Sequence, residues 1–119
     1  MSSPSSHPEW IITSDELEPS IGQVTLLDVR EPEEFAESRI DTPGCCKLIP
    51  LGELASRVER ELPDKQDDIV IYCAHGVRSM HALLAMARMG YSRLRSLDGG
   101  ICAWQEHLAA SAPTAGKIR

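Results

Sequence analysis

No stretch of this chain approaches the roughly 20 consecutive apolar residues that cross a bilayer. The opening Met1-Ser2-Ser3-Pro4-Ser5-Ser6-His7 has neither the basic start nor the apolar run of a secretory leader. The expectation is a soluble, cytoplasmic protein with no membrane partner. Cysteine is also scarce: Cys45, Cys46, Cys73 and Cys102 are too few and too irregularly spaced for a disulfide framework, and they should stay reduced. Cys45 and Cys46 might be taken for metal ligands, but neighbours in a strand face opposite ways and no second cysteine–histidine pair follows at zinc spacing. Packing is therefore expected there, with no metal and no cofactor. Internal repeats and linkers are absent too, and 119 residues suit one domain that buries roughly two-thirds of its unfolded surface.

Acidic residues nearly vanish from the second half. Residues 1–68 hold sixteen acidic and six basic side chains, for −10; residues 69–119 hold two acidic and six basic, for +4. The overall −6 argues against nucleic acid as a partner. The basic half suits a small anionic substrate, unless Arg88, Arg93 and Arg95 merely solvate a helix end and a sheet edge.

Within that basic half lies the most informative stretch, Ile69 to Ser79. Ile69-Val70-Ile71-Tyr72, bounded by Asp67-Asp68, has the composition of a fully buried parallel strand, and Met80 to Met89 is long enough and rich enough in Ala and Leu for a helix. Cys73 then stands at the carboxyl end of a strand, where open α/β sheets bind ligands and where the next helix directs its free N–H groups. A cysteine in such a place, beside an arginine, can fall from a pKa of about 8.5 to roughly 3.5–7.5. It would be a nucleophilic thiolate near neutral pH. Gly76 permits a tight bend with inward amides, and Arg78 offers a planar, permanently charged fork for an oxyanion. A buried structural cysteine before a capping loop is the competing reading; the joint presence of Cys73, Gly76, Arg78 and Ser79 in seven residues favours function.

The remaining segments fit an alternating pattern. Trp10-Ile11-Ile12 reads as a short strand and Thr13-Ser14-Asp15-Glu16 as a capping box opening a helix. Val24 to Val29 is a second buried strand, with Asp28 and Arg30 at its end, as a structural ion pair or as neighbours of Cys73 on a shared sheet edge. Pro32 to Glu37 suits a helical first turn, Ser38 to Thr42 a loop, and Cys45 to Ile49 a short strand. Leu51, Leu54, Ala55, Val58 and Leu62 form one helical stripe, with Glu53 and Arg57 placed to pair outside it. The Met80–Met89 helix is apolar on nearly every side, as if sandwiched, and Gly90 ends it. Leu94 to Leu97 is a last strand, and Ile101 to Leu108 a last helix. This order predicts an α/β fold: an open, mostly parallel sheet of about five short strands with helices on both faces. Residues 1–9 form a lead, 10–108 the domain and 109–119 a tail.

Taken together, these residues resemble a single-domain rhodanese, a sulfurtransferase family, from about Trp10 to Leu108. The resemblance is carried by Leu26-Leu27-Asp28-Val29-Arg30-Glu31 with Phe35, by Pro43-Gly44 and Ile49-Pro50-Leu51, by Cys73 to Ser79, and by Asp98-Gly99-Gly100 with Ala103-Trp104. It implies that Cys73 takes a sulfane sulfur from thiosulfate or a persulfide donor and passes it to a thiophilic acceptor, a protein or a low-molecular-weight thiol. It also implies that Ala74, His75, Gly76, Val77, Arg78 and Ser79 bind the donor and its terminal sulfur, with Asp28 and Arg30 in support. Related phosphatases have five residues between Cys and Arg; this chain has four, which disfavours phosphatase or arsenate reductase chemistry. The chain departs from relatives in its longer Arg39-Ile40-Asp41-Thr42-Pro43-Gly44 loop, in Ala74, where many carry a cationic or polar residue, and in His75 and His81. Ala74 favours the alternative function, a relay or binding module that receives persulfide from a protein partner with little thiosulfate turnover.

Overall fold

The computed structural model describes residues 7–44 and 46–111. Five strands, β1 (Ile11–Ile12), β2 (Thr25–Asp28), β3 (Cys46–Leu48), β4 (Ile69–Tyr72) and β5 (Leu94–Leu97), form one sheet in the order β1-β5-β4-β2-β3. Every pairing is parallel. β4 is the middle strand, covered on both faces, which is why its sequence is an unbroken apolar run without alternation.

The pleat divides the core into two layers. Ile69, Ile71 and Cys73 face one side, with Leu27, Val29, Ile49 and residues of two helices, α3 (Leu54–Glu61) and α4 (Val77–Arg88). Val70 and Tyr72 face the other, with Leu26, Ile12, Leu17, Leu97 and Trp104, under α1 (Ser14–Leu17) and α5 (Gly100–Ser111). Most of these side chains are fully buried, each such aliphatic contributing about 1.5–3 kcal/mol. α2 (Pro32–Glu37) follows β2.

The helix ends obey local chemistry. Thr13 and Glu16 complete the expected capping box of α1. Glu31 and Glu34 form a second, at α2, with Pro32 in the first turn. Gly90 turns the chain beyond α4 at φ +101°. Arg57 pairs with Glu53 at 2.9 Å, and also with Glu61 at 2.6 Å.

Several sequence expectations need correction. α4 begins at Val77 and not at Met80, because Gly76, at φ +112°, supplies the cap and lets the helix start inside the loop. Nor is α4 buried all round: Val77 and Leu84 are 67% and 50% exposed, since the sheet and its neighbours cover only one side. Ala55 is exposed and lies off the buried stripe of Leu54, Val58 and Leu62. α5 continues past Leu108 to Ser111. Cys45, most of the amino-terminal lead and residues 112–119 of the tail lie outside the described residues. No helix among the described residues is long and apolar enough to cross a membrane.

Candidate active site at the carboxyl end of β4

β4 ends at Tyr72, so the next residue, Cys73, stands at the carboxyl edge of the sheet, directly below the start of α4. Its side chain is buried. The Gly76 amide donates to Sγ at 3.0 Å and the Ser79 amide at 3.4 Å, while the Ser79 hydroxyl lies 3.6 Å away. Burial opposes the thiolate. Hydrogen bonds from the Ser79 hydroxyl and amide and from the Gly76 and His75 amides outweigh that opposition and hold the thiol below its ordinary pKa. Donors at a helix start thus favour the thiolate form of this cysteine more than water would.

The loop amides point inward because its carbonyls are engaged outward. The Ile101 amide donates to the Cys73 carbonyl at 2.9 Å and the Cys102 amide to that of Ala74 at 3.2 Å, both from the first turn of α5. Such close contact needs Gly100: a Cβ there would stand 2.4 Å from both carbonyl oxygens, and its φ is +62°.

Behind Cys73 sits a second hydroxyl. Ser96, from β5, lies 2.7 Å from the Ser79 hydroxyl, and both serines are buried. The Gly76 carbonyl, 3.2 Å from Ser79 Oγ, already accepts the Met80 amide at 3.3 Å. With a neutral thiol, Cys73 Sγ donates to Ser79 Oγ and the Ser79 hydroxyl donates to the Gly76 carbonyl, which has room for two donors. Once the sulfur is a thiolate, the Ser79 hydroxyl turns to donate to it, with Ser96 donating to Ser79.

Asp28 and Arg30 emerge on the same edge, since Asp28 is in register with Tyr72. They form a buried pair: Arg30 Nη2 to Asp28 Oδ2 is 2.7 Å, and Arg30 Nε donates to Oδ1 at 3.0 Å. Arg30 also donates to the carbonyls of Ser38 at 2.7 Å and Glu34 at 3.3 Å, and lies over the Tyr72 ring. The Tyr72 hydroxyl accepts the Ile40 amide. The pair thus fastens the carboxyl-terminal half of α2 to the sheet, and removing one partner would strand a buried charge.

That fastening matters because α2 delivers Glu34 to the loop. Arg78 grips Glu34 with two parallel bonds, 2.8 Å to Oε1 and 2.9 Å to Oε2. Glu34 also accepts the Glu31 amide, and its carboxyl is lowered to about 2, chiefly by the Arg78 hydrogen bonds. Arg78 stands by Cys73 as expected, but its fork is engaged. His75 and His81 are exposed, and His75 Nε2 lies 3.9 Å from Cys102 Sγ. Ala74 is half-buried and Val77 is exposed.

The basic half of the sequence does not become a basic site. Arg95 and Arg93 reach Asp68, at 3.0 and 3.8 Å, and line a cleft of about 500 Å³ with Trp10 and Glu9 at the amino ends of the strands. That cleft is at the opposite end of the sheet from Cys73. Sequence reading also missed Glu34, Ser96 and Gly100 as parts of the site. The Glu-Pro-Glu-Glu run gave a helix-start signal that concealed the role of Glu34, and nothing local marks Ser96.

Residues 13–107 match the Rhodanese-like domain. The chain belongs to the rhodanese-like family. It is 40% identical over 84 residues to a sulfurtransferase of Allochromatium vinosum, covering 71% of this chain and 74% of that one. It is 33% identical over 73 residues to the thiosulfate sulfurtransferase PspE of Escherichia coli, covering 61% of this chain and 67% of that one. Among solved structures it is similar to the human single-domain sulfurtransferase TSTD1, with a TM-score of 0.72, 28% identity and coverage of 82% of this chain and 96% of that one. The similar solved structures match the parallel α/β fold expected from the sequence, and the relatives named here are sulfurtransferases.

Proposed function

We propose that this rhodanese-like protein is a sulfurtransferase that works through a persulfide on Cys73. The observation that carries the reading is a buried sulfur at a strand end receiving the Gly76 and Ser79 amides. The Cys73 thiolate attacks the sulfane sulfur of the donor, the donor's S–S bond breaks, and the electron pair leaves on sulfite from thiosulfate or on a thiolate from a persulfide. The new terminal sulfur anion rests in the amides of residues 74–79, backed by the amino end of α4. A thiophilic acceptor then takes that sulfur and returns Cys73 to the thiolate. Asp28 and Arg30 support the loop indirectly, by anchoring α2, whose Glu34 holds Arg78. The five-residue loop of phosphatases would surround a phosphoryl group; the four residues between Cys73 and Arg78 make a cradle suited to one sulfur.

Intact-mass measurement after incubation with thiosulfate, followed by cyanide, tests the proposal. Cys73 should gain one sulfur atom and release thiocyanate, Cys73→Ser should gain none, and Cys45→Ser, Cys46→Ser and Cys102→Ser should still load. Persistent loading of Cys73→Ser would remove Cys73 from the chemistry. A relay that takes persulfide from a protein partner is the second reading, favoured by the engagement of Arg78 with Glu34. Loading from a persulfide without thiosulfate turnover would select it.

A further inference from the structure

The charge available to an incoming donor is set by a residue outside the loop. Arg78 is the cation of the loop, and Glu34 holds both arms of its fork. The carboxylate is prearranged, because the Glu31 amide donates to Oε1 at 2.8 Å and Arg30 ties the Glu34 carbonyl. Arg78 and Glu34 are 34% and 33% exposed, so solvent and solutes reach both. The pair sums to zero. A donor therefore meets a thiolate with no net cation beside it, and it must either displace Glu34 or bind next to it.

We propose that Glu34 is a specificity-determining residue that biases the Cys73 site against dianionic small donors and toward a singly charged, thiol-borne persulfide. The inference rests on the reading of Cys73 as the sulfur-transfer residue. Its physical basis is that repulsion from one carboxylate grows in proportion to the charge of the donor. Thiosulfate brings two negative charges to the cysteine. A simple alkyl persulfide brings one at most. In both cases the atoms balance: the Cys73 thiolate and the donor yield the Cys73 persulfide anion plus sulfite or the alkyl thiolate. Glu34 changes only how readily the donor arrives.

Charge scaling gives the test a quantitative form. Glu34→Gln keeps the side-chain shape and removes the charge. At roughly threefold per donor charge, the size of a solvent-exposed charge pair, second-order loading by hydroxyethyl persulfide should rise about threefold and by thiosulfate about tenfold. Glu34→Asp should keep the wild-type preference, and Glu34→Ala serves as a second neutral variant, with circular dichroism to verify folding. An equal change for both donors, or a fall in thiosulfate loading, would overturn the proposal, because Glu34 would then serve only to hold Arg78 in place. Loss of folding in both neutral variants would overturn it as well. If the wild-type protein took sulfur from neither donor, the sulfur-transfer reading itself would fail, a result visible without any Glu34 variant.

Discussion

Ser96 offers the sharpest measure of how the fold prepares Cys73. It lies on β5, has no contact with any donor in the proposed mechanism, and meets the Ser79 hydroxyl at 2.7 Å. A hydrogen bond to an ionised group is worth about 1.5–3 kcal/mol, or about 1–2 pKa units, so Ser79→Ala should raise the Cys73 pKa by that amount. Ser96 acts by polarising the bond and committing its proton, a cooperative share of about 10–30%. Ser96→Ala should therefore raise the Cys73 pKa by a few tenths of a unit and cost about 1 kcal/mol of stability. The assay is the pH dependence of iodoacetamide alkylation, followed on the Cys73 peptide by mass spectrometry so that the other cysteines do not interfere. Ser96→Thr should restore the wild-type curve, and Ser96→Ala should add nothing in a Ser79→Ala background. A Ser96→Ala effect that persists without Ser79 would refute the relay.

Gly100→Ala places a methyl group 2.4 Å from the Cys73 and Ala74 carbonyl oxygens, so it should destabilise the fold by about 1–3 kcal/mol and raise the Cys73 pKa as the loop amides turn away. Denaturant unfolding and the same alkylation assay would show both, and an unchanged alkylation curve would separate the loop from α5. Acid titration tests the Glu34–Arg78 pair. Glu34 drops from 4.5 to about 2, so its stabilising contribution is complete above pH 4.5 and is lost as the pH falls through about 2. The stability advantage of wild type over Glu34→Gln should accordingly shrink across that window, and a constant difference would show that the pair does not couple to folding.

What was legible in the sequence follows from how local each cause is. The strand-to-helix turn at Cys73 could be read because a buried central strand must be apolar throughout and because a left-handed cap calls for glycine, as at Gly76. Asp28 and Arg30 were recognisable as a pair since they are two residues apart and bond directly. Glu34 and Arg78 are 44 residues apart, and Ser79 and Ser96 are 17 apart on different elements. Only the side-by-side placement of β2, β4 and β5 brings them together. The charge imbalance misled for the same reason: Arg93 and Arg95 precede or lie within β5, and parallel strands put that region at the end away from Cys73.

The same geometry explains why sulfur chemistry can be supported with little charge. Three elements meet at the cysteine, and each supplies a dipole in place of an ion: α4 gives its first amides, α5 turns the loop carbonyls outward, and β5 gives a hydroxyl through Ser79. Backbone donors fixed in place stabilise a thiolate and a persulfide anion alike, because both put negative charge on sulfur within the same ring of amides. A free cation would also attract any dianion in solution. On the roles proposed for Cys73 and Glu34, the Arg78–Glu34 pair leaves stabilisation of the sulfur to the loop and separates it from recruitment of the donor, so substitution should alter the two independently.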